Sequence, residues 1–333
     1  MGTETEQQPA RAVQKLATAY WASRCLHIVA ELGIADRLDD EPQTAEMLAR
    51  AVDVKPSPLH RILCALAGHG IFVHDGERFA HNAASRMLRS DAPGSMRSFA
   101  RMMGLKVHWD AYRELGTAVS TGEPAVAKVT AGGLFRYLQA HPDEAQVFDE
   151  AMAGKSALTL GLVVENYDFR GFKTIGDIGG GQGHLLYAVL EQAANARGVL
   201  FDLPEVVARA RGRSHPRVDY VGGDFFQDPI PACDCYMMMT VLHDWSDAES
   251  TAILENVKAR APRGAKLLLL EGILDPMARD DFKLDLDVEM LVMTTGHERT
   301  EAQWRAVLAG AGFRLSRVIG AGPMGSILEA ELG

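Results

Sequence analysis

Apolar residues recur every three or four positions in segments 34–38, 44–52 and 58–67, the signature of helices with one buried face. Between the second and third, residues 53–58 read as a turn. Ser57 is placed to cap the next helix and Pro58 to open it, where a missing N–H costs nothing. The period then shortens. Ile71-Phe72-Val73-His74 and Arg78-Phe79-Ala80 flank Asp75-Gly76, which signals a hairpin. Helices followed by a hairpin predict a mainly helical, winged-helix-like unit in residues 1–100. A further apolar helix, residues 12–32, would leave its apolar face bare in a monomer.

Residues 95–152 continue as helices, broken at 122–124 and at Gly132-Gly133, with His141-Pro142-Asp143 opening a helix through Phe148 and Met152. Near residue 170 the pattern changes. Short apolar runs at 174–178, 197–201, 218–221, 234–239 and 265–271 alternate with amphipathic helices, which predicts βαβ units. After a helix at 300–311, runs 314–319 and 326–332 are joined by too short a loop for a crossover, so they pair antiparallel. Residues 166–333 are therefore expected to be α/β: a Rossmann-like, doubly wound, mostly parallel sheet with one reversed strand near its edge. Residues 101–165 form a helical linker.

Composition narrows the class. In 333 residues, 34 Lys and Arg face 44 Asp and Glu, a formal net charge of −10, which argues against nucleic-acid and anionic-membrane partners. The winged-helix-like segment is no more basic, with eleven basic and twelve acidic residues in positions 1–100, so a DNA-binding regulator is disfavoured. No apolar run approaches the roughly 20 residues of a membrane span. Residues 1–10 lack the features of a signal peptide, and the expected location is cytoplasmic. Four cysteines make no disulfide framework, and Cys233 and Cys235 have no second pair with which to hold a metal.

Candidate chemistry concentrates at strand ends. Gly179-Gly180-Gly181, followed by Gly183, lies between a strand and a helix, where backbone can approach a ligand closely. Asp202 ends the second strand 19 residues beyond Gly183 and suits a ribose diol. Asp224 ends the third and could receive an adenine amine, with Phe225 against the ring. The glycine spacing departs from Gly-x-Gly-x-x-Gly, and Asp177 stands just before the loop, a poor neighbour for a pyrophosphate. A ligand with a cationic centre and an amino group, S-adenosylmethionine, fits better than a nicotinamide dinucleotide. On the fourth strand's end sits His243, with Glu271 and Glu298 expected on the same sheet edge. A phenol titrates near 10 and an ordinary histidine near 6.5, so proton transfer costs about 5 kcal/mol. A carboxylate beside the histidine lowers that cost.

Asp177–Gly183, Phe201-Asp202-Leu203-Pro204, Gly222–Phe226, Leu242–Asp247 and Glu298-Arg299-Thr300 together resemble the S-adenosylmethionine-dependent O-methyltransferases of the plant caffeate/hydroxyindole type and their bacterial relatives. The resemblance implies cofactor contacts at Asp177, Gly179, Gly180, Gly181, Asp202, Leu203, Asp224, Phe225 and Phe226. It implies His243 as general base flanked by Glu271 and Glu298, no metal, S-adenosylhomocysteine as product, and a homodimer through the N-terminal domain. It also suggests a substrate pocket drawing on Met103, His108, Trp109, Phe148, Met152, Asp244, Met290 and Met293, part of it in the linker. The acceptor implied is a small aromatic or polyketide-like hydroxyl compound. Two positions depart from the family: Met239 replaces a lysine, and Phe148-Asp149 a Phe-Asn pair. Hydroxylation or decarboxylation with the same cofactor is the alternative activity.

Overall fold

The computed structural model describes residues 4–38, 40–278, 282–322 and 325–333. They form two compact units, one comprising the chain up to Lys106 with Gln146–Lys155, the other Val107–Ala145 with Ser156–Gly333.

In the first unit, helices Ala19–Leu32, Ile34–Arg37, Ala45–Ala51 and Pro56–Gly68 enclose a core of Val29, Ile34, Leu48, Leu63, Leu66 and Phe79. Strands β1 (Gln43–Thr44), β2 (Val73–His74) and β3 (Arg78–Ala80) make an antiparallel sheet in the order β1-β3-β2. The hairpin is as expected, whereas β1 carries no periodic signal. Thr44 serves twice, pairing with Arg78 and accepting the Met47 N–H at 3.4 Å as a helix cap. Two expectations are corrected. The helix expected at 12–32 is divided at Thr18, between Glu4–Ala17 and Ala19–Leu32. The Thr18 hydroxyl donates to the Gln14 carbonyl at 2.9 Å, and its backbone leaves the helical region at φ −108°, ψ 5°. The helix expected to start at Pro58 starts at Pro56, after an extended Lys55, so Ser57 lies in its first turn instead of capping it.

In the second unit, β4 (Thr174–Ile178), β5 (Arg197–Asp202), β6 (Val218–Gly222), β7 (Cys235–Met239), β8 (Lys266–Glu271), β9 (Phe313–Gly320) and β10 (Ser326–Leu332) form one sheet. Its order is β6-β5-β4-β7-β8-β10-β9. β4 to β8 pair in parallel, and β10 runs antiparallel to both β8 and β9, the reversed strand that was expected. Tyr236, Met238, Leu267 and Leu269 meet Ile253, Leu254 and Trp304 on one face. Met237, Leu268 and Leu270 meet Val163, Leu186 and Val189 on the other. Burial of both faces explains the unbroken apolar runs of β7 and β8. The strand order reverses between β4 and β7, which opens a crevice at their carboxyl ends. Among the described residues, no helix is long and apolar enough to cross a membrane.

Candidate active site

The loop after β4 is shaped by backbone. Gly179 and Gly181 have φ of +69° and +56°, a region costly for any side chain. At Gly180 a Cβ would stand 2.5 Å from Leu200 Cδ1 and 2.6 Å from Asp177 Cγ, so only glycine fits. Asp202, at the end of β5, ties the loop down. Its Oδ2 accepts the Gly181 N–H at 2.8 Å and its Oδ1 the Leu203 N–H at 2.7 Å.

Beneath the loop, Asp177 is buried, and that burial, reinforced by the Asp202 charge, pushes its carboxyl up to about 7 against the Leu186 amide. Asp177 Oδ2 is buried without a hydrogen-bond partner. Asp224 lies two residues past the end of β6 instead of ending it. Its Oδ1 accepts the Phe226 N–H at 2.9 Å and its Oδ2 the Gln227 amide at 2.8 Å. Phe225 and Phe226 meet the Trp245 ring edge-on, with centroids at 5.7 and 4.8 Å, and Phe135 stacks on Trp245 at 5.6 Å.

The loop after β7 is shaped by side chains. Thr240, with φ +50°, turns the chain out of the strand in a region unfavourable for a β-branched residue. Two buried carboxylates hold the segment Val241-Leu242-His243. Glu271 Oε1 accepts the Val241 and Leu242 N–H groups at 3.0 and 2.9 Å. Glu298 Oε1 accepts the His243 Nδ1–H at 2.6 Å. Thus both glutamates reach the histidine segment, but Glu298 bonds the imidazole and Glu271 bonds the backbone. His243 is 5 % exposed. Burial alone would depress it. The charges of Asp244, Glu271 and Glu298, with the Glu298 hydrogen bond, outweigh burial and hold it up at about 9. Burial pushes Glu271 up to about 7, with Glu298 adding repulsion and His243 opposing it.

Arg299 carries a role that sequence reasoning missed. It is fully buried. Its guanidinium donates to the carbonyls of Leu242 and Trp245 at 2.9 and 2.7 Å and to Asp247 Oδ1 at 2.8 Å, and lies over the Trp304 ring. Ser250 donates to the same two carbonyls at 3.2 Å. The short turn bearing His243 is thereby gripped on its amides by Glu271 and on its carbonyls by Arg299 and Ser250. Gly296 completes the grip, because a Cβ there would collide with the His243 carbonyl.

Of the remaining candidates, Met103, Phe148 and Met152 belong to the first unit, around Met102, Val147 and Ala151. His108, Trp109, Asp244, Met290 and Met293 belong to the second. There Glu289, which the sequence did not single out, accepts the Tyr112 hydroxyl at 2.6 Å and lies 3.3 Å from His108 Nε2. Asp244 Oδ1 is 3.6 Å from His243 Nε2. Cys233 and Cys235 are buried free thiols.

A family model described as an O-methyltransferase domain matches residues 112–314, and one described as an O-methyltransferase dimerisation domain matches residues 14–91. The chain belongs to the O-methyltransferase family. Phenazine O-methyltransferase PhzM of Lysobacter antibioticus is 38 % identical, over 95 % of this chain and 94 % of its own. The mitomycin biosynthesis 6-O-methyltransferase of Streptomyces lavendulae is 33 % identical, over 97 % and 95 %. The crystal structure of human N-acetylserotonin methyltransferase in complex with S-adenosylmethionine matches with a TM-score of 0.91 at 26 % identity, over 100 % of both chains. This O-methyltransferase is S-adenosylmethionine-dependent, and the crevice fits that cofactor. The orphaned Asp177 oxygen calls for a donor or cation, and the position beyond Gly181 Cα is open within 4 Å.

Proposed function

We propose that this O-methyltransferase methylates a hydroxyl of a small aromatic or polyketide-like metabolite with His243 as general base. The observation that carries this reading is the buried 2.6 Å bond from His243 Nδ1 to Glu298. With Nδ1–H committed to Glu298, the neutral ring presents the Nε2 lone pair for a hydroxyl proton. A histidine held at about 9 lies roughly one unit below a phenol, so proton transfer costs about 1.4 kcal/mol instead of about 5. In the free enzyme at neutral pH the imidazolium dominates, and the active base grows in as pH rises.

When bound, S-adenosylmethionine supplies an electrophilic methyl group on a sulfonium. Asp202 and Leu203 receive its ribose, Asp224, Phe225 and Phe226 its adenine, and Asp177 with Gly179, Gly180 and Gly181 its amino-acid end. Within the second unit, His108, Trp109, Asp244, Met290 and Met293 shape the acceptor site, and the chain follows a plan of residues 1–100, 101–165 and 166–333. The phenazine and mitomycin relatives support a small-metabolite acceptor. The intact His243–Glu298 pair favours methyl transfer over hydroxylation or decarboxylation. Exposed Val13, Leu16, Tyr20 and Trp21 support a homodimer through the N-terminal domain. The acidic charge supports a protein without nucleic-acid or anionic-membrane partners, and a cytoplasmic location remains part of the proposal.

The test compares wild type with His243→Ala across a panel of phenols and hydroxyquinones, following S-adenosylhomocysteine release. The variant should lose about 10²–10⁴-fold in kcat. Its S-adenosylhomocysteine affinity should be unchanged by calorimetry. Full turnover by the variant removes the general-base reading.

A further inference from the structure

In the first unit, far along the chain from the methyl-transfer residues, His60 and Cys64 stand one helical turn apart on Pro56–Gly68, and so share a face. The hairpin strand β2 brings His74 to that face. One donor atom from each of the three lies within 4.8 Å of the other two. Cys64 Sγ is 3.7 and 3.6 Å from the two His60 ring nitrogens. A nitrogen and a sulfur bound to one tetrahedral ion, at about 2.0–2.1 and 2.3 Å, stand about 3.5 Å apart, so little movement brings both onto one ion. His74 Nε2 is buried and has no hydrogen-bond partner, a state that ordinarily costs a ring nitrogen about 1–3 kcal/mol. The His74 ring is already fixed, stacked on Phe79 at 4.4 Å with an interplanar angle of 14°.

We propose that His60, Cys64 and His74 form a binding site for a thiophilic divalent cation of the zinc class. Two imidazoles and a thiolate are borderline-to-soft ligands, which select zinc-like ions over magnesium or calcium, whose ligands are oxygens. All three side chains are partly buried, so water can complete a tetrahedron. The Glu46 carboxylate, within electrostatic reach of His60, adds favourable potential for a cation. Bound there, the ion ties the wing hairpin to the helix beneath it. Binding expels the Cys64 thiol proton to solvent, with no change of redox state. Sequence reasoning tested only the close Cys233 and Cys235 pair. The ligands here are spaced four and then ten residues apart on two kinds of element, and only the hairpin's return joins them.

The experiment takes the full chain, stripped by chelation, and titrates it with cobalt(II) chloride and then zinc(II) chloride. Wild type should bind one cobalt per chain with a thiolate-to-metal charge-transfer absorption, and zinc should displace it. Cys64→Ser should abolish that absorption. His74→Phe, which keeps the stack on Phe79, should weaken zinc at least about tenfold by calorimetry. Cobalt binding without thiolate absorption, or zinc affinity equal to wild type in either variant, overturns the site.

Discussion

After β4, the backbone does the holding: three adjacent glycines, two of them in left-handed conformations, leave room that no side chain could share, and one aspartate pins them. After β7, side chains do it. Glu271, Glu298, Arg299 and Ser250, drawn from 29 to 58 residues beyond Val241 and Leu242 or from the next helix, close around one short turn. The first edge is set by local conformation and needs few partners. The second is set by buried hydrogen bonds and charge, so removing one member leaves the group it held buried and unpaired. On the proposed general-base reading, an enzyme that seats a constant cofactor and moves a proton at a defined pH has reason to build the two edges differently. Shape suffices for the seat, whereas proton affinity has to be tuned by charge.

Breaking the charged edge should have the larger effect. Glu298→Gln keeps an acceptor for Nδ1–H but removes the charge, and should lower kcat roughly 10–100-fold. The sign of its pH effect is definite. The Glu298 carboxylate favours imidazolium, so without it His243 deprotonates at lower pH. The rising limb of kcat/KM, set near 9 in the wild type, should move down the pH axis. An unmoved limb separates Glu298 from the base. On the backbone-built edge, Asp202→Ala frees the Gly181 amide and should weaken S-adenosylhomocysteine about tenfold in calorimetry, with the pH limb in place. A shifted limb in that variant ends the division of labour. The smallest effect belongs to Asp224→Asn, which keeps an acceptor for the Phe226 amide and loses the one for Gln227. About a threefold loss of S-adenosylhomocysteine affinity is expected, close to the value of one modest hydrogen bond. A loss above about thirtyfold places Asp224 at the centre of cofactor recognition.

The same contrast governs what could be read from the chain. The glycine loop, Asp202 and the parallel strands announce themselves through short-range patterns. β10 was legible because a short joint after Gly320 forbids a crossover. His243 and Glu298 were found as neighbours because both lie at strand or helix boundaries. The division of roles between Glu271 and Glu298 was not legible, since it depends on which oxygen meets an amide and which meets a ring. The role of Arg299 was equally hidden, because burial of a guanidinium depends on carbonyls 54 and 57 residues away. In the first unit, Thr18 and Pro56 moved helix boundaries through single backbone preferences that apolar periodicity does not register.

β10 lies between β8 and β9 although it comes after both in the chain. During synthesis β8 therefore waits with an open edge while the helix Glu301–Gly310 and all of β9 are made. Six residue pairs from Glu271 to Lys266 then close in a single late insertion. Unpaired apolar edges recruit other chains, so this interval is where nascent molecules are most prone to aggregate. The strand carrying Glu271 is the one left open. The Glu271 hydrogen bonds to Val241 and Leu242 are thus anchored on a strand that lacks its second neighbour until the last segment of the chain arrives.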